Sequence, residues 1–174
     1  ELDRIGHEVL CDHGAYPSTL GYRGFPKSLC SSVNEVVCHG VPDDRPLAPG
    51  DIVNVDLTSI VDGWFGDQSE TFLLGGVSLE AQQVSQWALD GLYLAIEAIG
   101  VNSRIVEIGN AVKQEADRYG FSVVREYVGH GLGRKFHQDP SIPHCPGVFP
   151  DQDRIRIPVG ICFTIEPMIN VGTY

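Results

Sequence analysis

The sequence predicts a single α/β or α+β domain, and three observations carry that expectation. Residues 51–74 read as two strands joined by Asp62-Gly63, a strong two-residue hairpin signal. Two amphipathic helical patterns follow, one ending at Gly100 and the other at Gly120. No linker, low-complexity tract or charge block divides the 174 residues, a length that can bury one core.

The elements follow in order. Leu2, Ile5, Val9 and Leu10 recur at helical spacing, so residues 2–13 form a short helix that Gly14 stops. Residues 15–50 are rich in Gly, Pro and Ser and read as loop and short strand, with a strand at Val36-Val37-Cys38-His39 ending in Gly40. Strand 51–60 and its return from Trp64 to Leu74 flank the turn. The next helix has Ser78 as N-cap and a buried stripe of Val84, Trp87, Ala88, Leu92 and Ala95. The last helix starts after Ser103 and buries Ile105, Ile108, Val112 and Ala116. Strands are expected at 121–128 and 161–166.

Composition narrows the function. The formal net charge is -11, from 23 acidic and 12 basic residues. Nucleic acid is therefore excluded as the main partner, because phosphate binding needs clustered Lys and Arg. The acidic surplus serves solubility, or some carboxylates hold cations. Five cysteines with no C-x-x-C fit free thiols in a reducing compartment. No apolar run reaches membrane-spanning length and no signal peptide is visible, although the chain opens at Glu1 and a removed targeting segment stays open. H-E-x-x-H, the G-x-S-x-G elbow and the nucleotide-deaminase signature are absent.

The hairpin brings two carboxylates together. With Asp62-Gly63 as the turn, Val61 faces Trp64, Thr58 faces Asp67 and Asp56 faces Ser69. Asp56 and Asp67 then share a sheet face as diagonal neighbours, whose backbones lie roughly 7–8 Å apart. Carboxylates that close repel unless a proton or cations lie between them. Metal ions about 3.5–4 Å apart suit that gap. The competing reading makes Asp67 an edge carboxylate beside Gly66.

The histidines divide similarly. His130 sits in a three-glycine loop, Gly129-His130-Gly131-Leu132-Gly133, which lets backbone approach a site and leaves the imidazole exposed. His137 follows in Phe136-His137-Gln138, and His39 ends the expected strand at 36–39. For each, a hydrogen-bonded structural histidine is the alternative. His7 and His13 read as surface residues, and His144 has no motif around it. A faint internal echo links Gly50-Asp-Ile-Val-Asn-Val-Asp56 with Gly160-Ile-Cys-Phe-Thr-Ile-Glu166. Each delivers a carboxylate six residues after a turn glycine, which suggests two related halves or a chance repeat.

Taken together, the segment Gly21 to Gly40, Asp51-Ile-Val-Asn-Val-Asp56, Gly66-Asp67, the glycine loop, Phe136-His137 and Phe163-Thr-Ile-Glu-Pro-Met-Ile-Asn170 resemble methionine aminopeptidase of type I. The resemblance spans almost the whole chain. It implies an α+β pita-bread fold, of the creatinase/aminopeptidase kind, with two pseudo-related halves. It also implies a dinuclear metallopeptidase, with Asp56 chelating one metal, Asp67 bridging both, and His130 and Glu166 binding the other. His39 and His137 would contact the substrate amide as catalytic groups. Tyr22, Phe25, Cys30 and Phe136 would line the methionine pocket. The implied cofactors are two divalent ions among Co, Mn, Fe and Zn. The implied partners are the N-termini of nascent polypeptides and, further out, the ribosome, with no nucleic acid and no membrane. The implied location is the cytoplasm, with an organelle left open. Another pita-bread peptidase, cleaving Xaa-Pro bonds, and a non-catalytic binding protein on this fold are the alternatives.

One ligand of the family pattern has no counterpart. A second Glu on a later strand bridges both metals there, but none of the eight residues after Glu166 is acidic. Residues 1–174 are therefore expected to be one metallopeptidase catalytic domain truncated at the C-terminus, with its final strands missing, and at the N-terminus. On that expectation, metal binding and activity are impaired in this chain alone.

Overall fold

A computed structural model describes all residues from 1 to 174. They cluster into two compact units, residues 1–81 with 133–136, and residues 82–132 with 137–174.

The first unit opens with helix α1 (Leu2–Asp12), close to the expected span. Gly14, at φ 74°, carries the chain out of it. Strands β1 (Tyr16–Pro17) and β2 (Cys30–Val33) flank a 3-10 turn at Tyr22–Gly24. Strands β3 (Ile52–Val61) and β4 (Trp64–Leu73) form the long hairpin. All pairings are antiparallel. β4 occupies one edge of β3 along its whole length, so β1 and β2 share the other, against Ser59–Ile60 and Val53–Asp56 respectively.

The expected strand at 36–39 does not form. The extended segment lies earlier, in β2, and the chain then turns. Asn34 and His39 take φ 53° and 54°, outside the extended region. The Val36 N–H donates to the Val33 carbonyl, and Ser31 N–H to the Gly40 carbonyl at 2.8 Å. Val36 and Val37 stay exposed, so their β-branched character found no surface to pack on.

Asp51, at the root of β3, is nearly buried and tied on several sides. Arg45 reaches it with two nitrogens at 3.0 and 3.1 Å, Asn34 Nδ2 at 2.8 Å and the Ala48 N–H at 2.9 Å. These contacts, Arg45 foremost, hold its carboxyl well below the usual carboxylate range.

The second unit contains α2 (Leu79–Glu97), α3 (Ile105–Tyr119) and five short strands. Ser78 Oγ accepts the Ala81 N–H at 3.1 Å, as an N-cap does. α3 buries Ile105, Ile108, Val112 and Ala116 as expected, and Gly120 caps it at φ 76°. These residues form the core with Ala95, Val123, Ile142 and Cys145. α2 is less covered than its pattern suggested. Within the expected stripe only Ala95 is fully buried, whereas Val84, Trp87, Ala88 and Leu92 are half-buried. Trp87 spends its surface on Tyr119 and Phe121, with ring centroids at 4.0 and 4.4 Å.

The expected strands at 121–128 and 161–166 shrink to β5 (Ser122–Val123) and β8 (Cys162–Phe163). Each finds a partner for only two residues: β5 pairs β9 (Ile169–Asn170), and β8 pairs β6. β6 (Gly129–Leu132) is the segment read as a glycine loop, and it is the central strand of the order β7-β6-β8, with β7 at Gln138–Ile142. Its glycines are there because neighbours come too close for a side chain. A Cβ on Gly129 would meet the Thr164 carbonyl oxygen at 2.4 Å, and one on Gly131 the Asp139 carbonyl oxygen at 2.4 Å.

The Asp51 contacts favour its ionised form in the folded state, so the stabilisation is full above the unfolded carboxyl pKa of about 3.9 and is lost as pH falls below it. Asp51→Asn should lower Tm at neutral pH and flatten the fall of Tm on acidification. Calorimetric melting between neutral and acid pH measures both. An unchanged acid slope would rule out this role.

Candidate metal centre

In the first unit the β3–β4 register brings the carboxylates to one face. Asp62 and Gly63 take φ 50° and 77°, the signs a type I′ turn needs. Val61 pairs Trp64, Thr58 pairs Asp67 and Asp56 pairs Ser69, as the sequence predicted. Asp56 and Asp67 therefore lie on the same sheet face. Thr58, 1% exposed, donates its hydroxyl to Asp67 Oδ1 at 2.8 Å.

Across the other edge of β3, Cys30 pairs Asp56. Its thiol is pushed up to about 12, first by burial and then by the charges of Asp56, Cys38 and Asp67. Cys30 is thus a neutral thiol, unsuited to nucleophilic work. Phe136 packs against Tyr22 with ring centroids at 4.7 Å and stacks on Phe65 at 5.5 Å. Tyr22 and Phe136 thus lie in ring contact. Phe25 is half-buried at the end of the 3-10 turn. Phe65 was missed in the sequence, although its place two residues before Asp67 on the same face of β4 would have found it.

In the second unit β6 presents His130. Its Nδ1 lies 3.1 Å from the Gly131 carbonyl, which can only accept, so Nδ1 carries a proton and Nε2 is the nitrogen left for another partner. That Nε2 faces Glu166 Oε1 at 3.5 Å. The distance is too long for a good hydrogen bond. A ring nitrogen and a carboxylate oxygen facing each other at this distance suit a cation between them, with the imidazole fixed through its other nitrogen as metal-bound histidines are. His137 packs beside His130 with ring centroids at 4.1 Å and ring planes tilted by 43°. His39 lies in the first unit, exposed in the turn before Gly40.

Two further residues hold this half and were not assigned from sequence. Thr164 Oγ1 accepts the His130 N–H at 2.9 Å and donates to Glu166 Oε1 at 2.5 Å. His144 Nε2 accepts the Glu166 N–H at 2.9 Å, which leaves its proton on Nδ1, buried without a hydrogen-bond partner. Burial pushes the His144 pKa down to about 3. Thr164 could have been found as the residue one strand period before Glu166. His144 carries no signal in sequence.

Within the second unit, the imidazole of His130 and the hydroxyl-held carboxylate of Glu166 are donors suited to a hard or borderline divalent cation. The chain belongs to metallopeptidase family M24, whose model matches residues 1–174. Within that class it is similar to methionine aminopeptidases. It is 42% identical to the methionine aminopeptidase of Rickettsia prowazekii, covering 99% of this chain and 66% of that protein. Methionine aminopeptidase A of Synechocystis is 50% identical, with 100% and 68% covered. The crystal structure of the Rickettsia prowazekii enzyme superposes with a TM-score of 0.93 at 42% identity, covering 99% of this chain and 68% of that one. That of Thermotoga maritima gives 0.89 at 31% identity, with 97% and 67% covered. The prolidase of Pyrococcus furiosus, at 22% identity and a TM-score of 0.69, shares the fold, with 96% and 48% covered. These neighbours define the pita-bread architecture expected from sequence. The chain spans 66% of the Rickettsia prowazekii relative's length and 47% of methionine aminopeptidase 1 of Dictyostelium discoideum.

The neutral, buried His144 has a consequence for pH. The unfolded imidazole binds a proton below about 6.5 and the folded one does not until about 3. Stability should therefore rise with pH across that window, by up to about 1.4 kcal/mol per pH unit from this group, and level off above it. His144→Gln keeps an acceptor for the Glu166 N–H and should flatten the slope. Melting curves from pH 4 to 8 compare the two proteins. Identical slopes would show that another group is responsible.

Proposed function

We propose that this protein removes the N-terminal methionine from nascent polypeptides by metal-dependent hydrolysis of the first peptide bond. The observation that carries the reading is the opposed pair His130 Nε2 and Glu166 Oε1. The carboxylates of Asp56 and Asp67 on one hairpin face support it. So do identities of 42–50% to methionine aminopeptidases, against 18% to the X-Pro aminopeptidase of Thermotoga maritima.

In this reading Asp56 would help hold one cation, His130 and Glu166 a second, and Asp67 would serve both. Oxygen-rich ligation with one imidazole suits Mn, Fe(II), Co or Zn. When bound, the cations supply a polarised scissile carbonyl and a water acidified toward neutrality. The chain's own residues do the rest. His39 and His137 bind the substrate amide and donate hydrogen bonds as its oxygen gains charge. Tyr22, Phe25, Cys30 and Phe136 line the methionine pocket, where rings and a neutral thiol suit a thioether. No helix of the structure is long and apolar enough to cross a membrane. Nascent N-termini at the ribosome are the proposed partners and the cytoplasm the proposed location. An Arabidopsis thaliana relative is named chloroplastic/mitochondrial, which makes an organelle the alternative.

The purified protein should cleave Met-Ala-Ser faster than a Gly-Pro dipeptide, and a chelator should abolish cleavage until Mn, Co, Fe or Zn is restored. Faster Gly-Pro cleavage would reassign the substrate class, and chelator-resistant cleavage would reject the metal reading. Asp67→Asn and Glu166→Gln each remove a ligand charge and should lower kcat/KM by more than about 100-fold, beyond what loss of an outer-shell partner costs.

A further inference from the structure

We infer that Thr164 is a positioning residue of the metal centre, a single hydroxyl that sets both His130 and Glu166. The inference rests on the metal reading above and names a residue which that reading does not use. Thr164 stands opposite His130 in the continuation of the β6–β8 ladder, where its N–H donates to the His130 carbonyl at 2.9 Å. The Thr164 hydroxyl accepts the His130 N–H at 2.9 Å. Its one hydrogen then goes to Glu166 Oε1, at 2.5 Å, in preference to the His130 carbonyl at 3.5 Å. The two strands lie close enough for this because residue 129 has no Cβ to strike the Thr164 carbonyl.

The arrangement determines orientation. A side chain on a strand next to its own ligand neighbour can swing unless something holds it. Here the imidazole is fixed through Nδ1 by Gly131 and the backbone beneath it by Thr164. The carboxylate is fixed by the same hydroxyl. Because Thr164 donates to Oε1, that oxygen is kept 3.5 Å from His130 Nε2 with lone pairs still directed outward. Both donors are thus preset for one ion, which spares the ordering cost at the moment of binding.

The test measures binding of manganese(II) chloride to the metal-free protein by calorimetry, beside its Tm. Thr164→Val keeps the shape and removes the hydroxyl, and should weaken binding by about 10-fold or more. Thr164→Ser restores the hydroxyl and should bind within about 3-fold of the original, as outer-shell effects scale. Thr164→Cys, with a weak S–H donor, should fall between them and serves if the Val variant fails to fold. Equal Tm across the metal-free proteins separates positioning from general damage. Unchanged affinity in Thr164→Val or Thr164→Cys would overturn the inference while leaving the metal reading intact. So would a Ser variant as weak as the Val variant. An original protein that binds no manganese would overturn the metal reading, and the inference with it.

Discussion

The backbone ladder between β3 and β4 is the constraint on which the rest of the first unit depends. Ten residues of each strand pair without a break, and the pairing is antiparallel through a two-residue turn. Because side chains alternate along a strand, this register alone decides which carboxylates share a face. Asp56 and Asp67 meet there, Phe65 joins them, and Thr58 is placed opposite Asp67 with its hydroxyl in reach.

The second unit solves a comparable problem differently. Its strands are short, and it relies on side chain to backbone bonds in place of a long ladder. Thr164, Gly131 and His144 each engage a backbone or side-chain group of His130 or Glu166. Gln152 extends the frame, since its buried amide donates to the Cys145 carbonyl and its oxygen receives the Val148 and Phe149 N–H groups. In both units a threonine hydroxyl donates to a proposed ligand carboxylate, Thr58 to Asp67 and Thr164 to Glu166. The two hydroxyls stand at different places relative to the internal echo, since Thr164 precedes Glu166 by two residues where Asn54 precedes Asp56, and Thr58 follows Asp56.

What could be read from sequence followed from local physics. The hairpin register was legible because Asp62-Gly63 specifies its own turn and period two does the rest. Helix α3 was legible because its cap glycine and its apolar spacing agree. The glycine strand β6 was hidden, since glycine within a strand gains its meaning only from neighbours such as Thr164 and Asp139. His144 was hidden for the same reason, because its partner lies 22 residues away. The strand expected at 36–39 failed where positive φ angles at Asn34 and His39, invisible in a Val-Val pattern, reshaped the chain.

The turn at Asp62-Gly63 also limits how this hairpin could change length. A lone residue added between Thr58 and Asp67 would have to be expelled as a bulge, or one carboxylate would rotate to the opposite face. Gly63 has little freedom either, since a side chain there would need the same left-handed backbone and would meet Arg134 Nη1 at 2.8 Å. Arg134 lies over Trp64 and donates to the Asp62 carbonyl, so the tip is closed as well as tight. Loop tips ordinarily absorb insertions with ease, whereas this one behaves as a spacer of fixed length, and variation in the protein's size is directed to other loops.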